Sequence, residues 1–129
     1  MNSKIYEPKI SSKRNRLLPR IKKWIKSEKP YTQRFAIGML YKYFTDENFD
    51  EDKIKLVMCA KSNDYYVKMM KAWFLSEAAV KHFDSVYKYL KDETDDREIF
   101  QMTVQKIYDS RRIAKENKEK LKEYKKNII

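Results

Sequence analysis

The chain has 129 residues and a net charge of +11, with thirty lysines and arginines against nineteen acids and only one glycine and three prolines. So little turn chemistry excludes a strand-rich fold and leaves an all-α chain, long enough for one domain that buries roughly two-thirds of its unfolded surface. No apolar stretch approaches the roughly 20 residues of a membrane span, and the charged N-terminus lacks the apolar region of a signal peptide, so a cytoplasmic protein with no membrane partner is expected.

Residues 1–15 are polar and basic with few apolar anchors. They are expected to dock on another part of a longer chain or to stay loose, with the helical domain covering 16–129. Leu17, Leu18, Ile21, Trp24 and Ile25 recur at helical spacing, and Pro19 suits a first turn, which predicts a helix from about Leu18 to Lys26, ended near Pro30. Trp24 is expected to pack in the core. Residues 30–44 form the next helix, with Phe35, Ile37, Met39, Leu40 and Tyr43 apolar, and Asp46 to Asp50 make an acidic loop. Asp50 is the expected N-cap of a helix to about Ala60. Near its end Cys59 follows Ile54, Leu56, Val57 and Met58 and reads as a reduced core thiol, with no Cys or His at metal-ligand spacing. After a turn at Lys61, Ser62 and Asn63, Asp64 caps a helix to about Lys81, and a shorter helix covers 83–91. Asp95 is expected to open a helix through Ser110, and the last helix covers about 115–126. The result is about seven helices in antiparallel pairs.

Two of these helices repeat. Residues 31–40 (YTQRFAIGML) and 65–74 (YYVKMMKAWF) share an aromatic first, a cation three positions later (Arg34, Lys68) and a small residue seven positions later (Gly38, Ala72), thirty-four residues apart. A period of that length marks stacked helical repeats, a solenoid, and puts Arg34 and Lys68 on one continuous groove suited to an extended ligand. Gly38 reads as a small residue that lets helices pack closely. The charge is also uneven: residues 1–26 carry a net +8, residues 111–126 a net +5, and residues 27–110 a net −2. Two basic ends around a nearly neutral body suit a polyanion, most simply duplex nucleic acid, while lysine-rich ends equally well solvate helices with no partner at all.

The runs RLLPRIKKWIKSEKPYTQRFAIGMLYKYF, KSNDYYVKMMKAWFLSEA and REIFQMTVQKIYDSRRI, in that order, resemble the C-terminal half of the AlkD-like DNA alkylation repair glycosylases, a family built from HEAT-like helical repeats. The similarity runs from about Ile5 onward. It implies hydrolysis of the N-glycosidic bond of N3- or N7-alkylated purines in duplex DNA, without a cofactor. The alkylated base is already a cationic leaving group, so the remaining work is to stabilise an oxocarbenium-like sugar and position water. The resemblance places Arg34 on the DNA backbone and Trp73 on the groove wall. The family's catalytic Asp and a partner Trp belong to a helix upstream of the matched segment, so the resemblance assigns no catalytic residue within this chain and implies a missing N-terminal half as partner.

Other residues carry weaker signals. Arg111 and Arg112 follow the last strongly apolar helix, where they fit phosphates at the groove edge or the dipole at a helix end. Tyr31, Tyr65 and Tyr66 are of a kind to stack on DNA, although helical spacing makes packing residues of most tyrosines. His82, the single histidine, would need Cys59 beside it to make a nucleophilic pair. The acidic loop lacks the spacing of a calcium loop, and no metal is expected. Three functions fit: the DNA-binding portion of an alkylpurine glycosylase, a non-catalytic duplex-binding module, or a helical scaffold for an acidic protein. A monomer is expected in each case.

Overall fold

The computed structural model describes residues 16–128, so the basic segment at 1–15 lies outside the described residues. Among the described residues there are seven helices and no strand. They are α1 (residues 16–25), α2 (Pro30–Tyr43), α3 (Glu51–Met58), α4 (Tyr65–Lys81), α5 (Phe83–Asp92), α6 (Arg97–Asp109) and α7 (Lys115–Ile128). The fold is the expected all-α helical repeat. No described helix is long and apolar enough to cross a membrane.

Three helix starts follow from aspartates. Asp50 accepts from the Lys53 N–H, and Asp64 accepts from the Tyr66 and Val67 N–H groups. Each such cap satisfies amides that the first helical turn leaves bare, worth about 1 kcal/mol. The third corrects the sequence reading: Asp96, not Asp95, opens α6, its Oδ1 accepting from Glu98 N–H at 3.0 Å and Ile99 N–H at 3.1 Å. A cap must lie two or three residues before the amides it satisfies, and Asp95 is one residue too early.

The layer that matters for function is α2, α4 and α6, which lie side by side with α4 central, while α3 and α5 pack against α4 from behind and α7 touches α5 and α6. The core between these elements is one cluster that runs from Ile21 and Ile25 through Leu40, Val57, Phe74 and Leu75 to Val104, Ile107 and Leu121. Burying each such side chain is worth about 1.5–3 kcal/mol. Polar ties fix the turns. Gln33 donates from Nε2 to Ser27 O at 2.6 Å and accepts from Ser62 N–H at 3.1 Å, which joins the α1–α2 turn to the α3–α4 turn. Lys71 is buried and donates from Nζ to Ala60 O at 2.6 Å. Desolvation pushes its pKa down.

Several expected packing roles can now be placed. Trp24 is half-buried against the core and meets Phe35 edge to face, with centroids 5.3 Å apart. Cys59 does not sit in the core: it is an exposed free thiol. Helix α3 ends at Met58, so Cys59 is its C-cap, and the inward positions go to Val57 and Ala60. His82 joins α4 to α5, its Nε2 2.6 Å from Asp46 O and its ring stacked on Phe49 at 4.7 Å. It thereby anchors the acidic loop, whereas Cys59 borders the α1–α2 turn beside Lys26 and Ser27. No Cys–His pair forms. A Cβ added to Gly38 would lie 3.7 Å from Met70 Cε, an ordinary contact with a flexible side chain, so an alanine would fit there.

Candidate nucleic-acid interface

Helix α2 contains no acidic residue, and α4 contains one, Glu77, near its C-terminal end. Their core-facing positions take Ala36, Ile37 and Leu40 on α2 and Val67, Phe74, Leu75 and Ala78 on α4. The 3.6-residue period then leaves Tyr31, Arg34 and Phe35 of the first helix and Tyr66, Trp73 and Glu77 of the second off the core. Among the described residues the exposed large apolar side chains are Tyr31, Phe35, Tyr65, Tyr66 and Trp73, all on these two helices. A clustered set of exposed rings marks a surface that meets a partner.

The cations on this face are held by rings. The Arg34 guanidinium carbon lies 5.4 Å from the Tyr66 ring centroid, and Tyr66 meets Tyr65 edge to face at 5.5 Å. No ion pair of Arg34 is found among the described residues, so its charge is available. Two helical turns further along α4, Trp73 is 41% exposed, with Tyr41 of α2 on one side at 6.1 Å between centroids. On the other side stands Lys106 of α6, its Nζ 4.8 Å from the Trp73 centroid. Desolvation pushes the Lys106 pKa down, and Asp109 offsets this only in part. One turn beyond Trp73, Glu77 accepts a hydrogen bond from the Arg112 guanidinium. Tyr41, Lys42, Asp46, Glu77, Lys81 and Arg112 border a cleft of about 370 Å³ there.

The residues expected at the site therefore divide. Arg34 and Trp73 share the open face of α2 and α4, and Arg112 stands at its far end through Glu77. Arg111 is exposed beside Arg112 in the turn after α6. Lys68 is spent elsewhere: its Nζ lies 3.2 Å from Asp96 and 3.3 Å from Glu98, with 16% of the side chain exposed. The bond to Asp96 raises its pKa, against desolvation. Sequence reasoning passed over Tyr41, Glu77 and Lys106, which come together only because α2 and α6 flank α4. The available signal for Lys106 was its place three residues before Asp109 on the α6 face that meets α4, and a period count over α2 and α4 does not reach it. Among the described residues no cluster of three or more His, Cys, Asp or Glu could hold a metal ion.

The fold and this face define a helical-repeat protein with a cationic, ring-lined surface. The chain belongs to the DNA alkylation repair enzyme family, whose model matches residues 3–103, and its role is in DNA alkylation repair. That match includes Arg34, Lys68 and Trp73 and ends before Lys106, Arg111 and Arg112. Neither a curated protein nor a solved structure matches the chain significantly.

Proposed function

We propose that this chain grips alkylated duplex DNA across α2, α4 and α6 as part of an alkylpurine DNA glycosylase with HEAT-like repeats, working as a monomer in the cytoplasm. The observation that carries the reading is the open face of α2 and α4, on which Arg34 forms no ion pair among the described residues, in a chain of the alkylation repair family. Arg34 takes a phosphate bidentately, and the rings of Tyr66 and Trp73 pack deoxyribose. Family chemistry further needs a carboxylate beside the sugar. The acid nearest Trp73 on α4 is Glu77, and Arg112 already holds it. The face therefore favours binding over hydrolysis for residues 16–128 taken alone, with the catalytic carboxylate supplied by a helix outside them.

The test is release of 7-methylguanine from methylated duplex DNA at enzyme excess, with binding recorded in the same samples. Binding without release is the expected result. Release would assign the carboxylate to this chain, and Glu77→Gln would be the first variant to measure. Absence of both would transfer the face to an acidic protein partner.

A further inference from the structure

The Trp73 ring packs deoxyribose in the reading above, and the Lys106 amine lies over its face at 4.8 Å. A sugar packed against the indole would meet this amine. We propose that Lys106 is an amine nucleophile that forms a Schiff base with the aldehyde of an abasic deoxyribose packed on Trp73, which gives the chain an abasic-site lyase activity. This inference rests on the DNA-binding reading above.

Four observations support it. Lys106 is the one lysine of α6, and it is half-buried over the face of an exposed ring. Two lysines of α4 are committed, Lys71 to Ala60 O and Lys68 between two carboxylates. No ion pair of Lys106 occurs among the described residues, and its partial burial lowers its pKa, which raises the share of the neutral, nucleophilic form that Schiff-base lysines use. The groups that hold the two flanking arginines, Tyr66 and Glu77, stand about 17 Å apart along α4 with Trp73 between them, roughly five nucleotide steps of one strand. A backbone gripped at both ends would lie with one sugar over the indole.

The chemistry balances without an oxidant or a metal. Excision of an alkylated purine leaves a deoxyribose whose open-chain form is an aldehyde. The neutral Lys106 amine adds to C1′, and the carbinolamine loses water to give an iminium. The iminium acidifies the C2′ hydrogen, which leaves as a proton to solvent. The C3′–O bond then breaks, and its electron pair departs with the 3′ phosphate. Water hydrolyses the unsaturated imine and returns the amine.

The experiment incubates the full chain with a duplex that carries one abasic site, traps adducts with borohydride and maps them by mass spectrometry. Binding is measured in parallel on the tetrahydrofuran analogue, which has no aldehyde. The expected result is an adduct on Lys106 at neutral pH, reduced about tenfold or more in Lys106→Arg, which keeps the cation and the ring contact but not the nucleophile. Binding of the tetrahydrofuran duplex by that variant sets the reference for its adduct yield, and Lys88→Arg, exposed on α5, should alter neither reading. Adducts that persist in Lys106→Arg or map to other lysines, with binding intact, would overturn the lyase inference alone. Failure of the wild-type chain to bind the tetrahydrofuran duplex would overturn the DNA-binding reading and the inference with it.

Discussion

Arg34 and Lys68 occupy the same register in consecutive repeats, thirty-four residues apart, and the structure gives them opposite surroundings. Arg34 faces a tyrosine ring and is not ion-paired among the described residues, while Lys68 is clamped by Asp96 and Glu98 at the start of α6. The difference comes from the neighbouring helix. Beside Lys68, α6 begins with a capping aspartate, whose carboxylate serves two amides and one ammonium at once. Beside Arg34 the adjoining element is α4, which also begins with a capping aspartate, Asp64, but has no first-turn acid to match Glu98, and Asp64 forms no ion pair with Arg34 among the described residues. Equal register thus fixes where a cation emerges, and the next helix decides whether it stays available.

The comparison breaks most severely at α4, which both regions share. Phe74→Ala removes a fully buried ring and should cost about 3–5 kcal/mol, lowering denaturant midpoints and loosening both regions together. Trp73→Ala, one residue away on the exposed side, should cost only about 1–2 kcal/mol and chiefly reduce DNA affinity. Equal losses of stability in the two variants would place Trp73 in the core.

Next in size, Arg34→Ala should lower the slope of log affinity against log salt by about 0.9, the share of one phosphate contact. Lys68→Met should leave that slope unchanged while lowering the melting temperature. The reverse pattern would exchange the roles of the two cations. Asp96→Ala should cost about 1 kcal/mol through loss of the α6 cap, measured by denaturant unfolding, and should not reduce duplex affinity.

The smallest effect is in pH. Desolvation opposes ionisation of Asp96, but hydrogen bonds from Ile99 N–H and Lys68 outweigh it and hold the carboxyl below its ordinary 3.8. Its contribution is therefore present above that value and fades as pH falls through the folded-state pKa. Lys68, raised above 10.5, keeps its contribution below that value and loses it as pH rises further. Thermal unfolding should show no step from this clamp between about pH 5 and 9, and a gradual loss below about pH 4. A smaller acid-side loss in Lys68→Met would assign part of it to the pair, the rest belonging to the Ile99 and Glu98 amides.

Much of the helix order was legible because it depends on local rules. Asp50 and Asp64 announce their helices by capping, and the apolar spacing of Ile37 and Leu40 or of Phe74 and Leu75 marks the faces that turn inward. The same rules misjudged Asp95 and Cys59, each by the position of a helix end. One residue there rotates a side chain by about 100° around the axis, enough to move a thiol from core to solvent. Tyr31, Tyr65 and Tyr66, singled out among the tyrosines as of a kind to stack on DNA, lie exposed, because the layer they belong to has no helix in front of it among the described residues.

By itself the sequence determined an all-α chain of repeated helices, the resemblance to alkylation repair proteins, and the emergence of Arg34 and Trp73 on one face of α2 and α4. These depend on period, capping and residue identity along a single strand of chain. Only the tertiary structure decided that Lys68 is spent on α6, that Arg112 ties down Glu77, and that Lys106 sits on the indole of Trp73. Each of those is a contact between residues at least twenty-eight positions apart, set by which helices lie side by side, and the period within one helix contains no information about its neighbour.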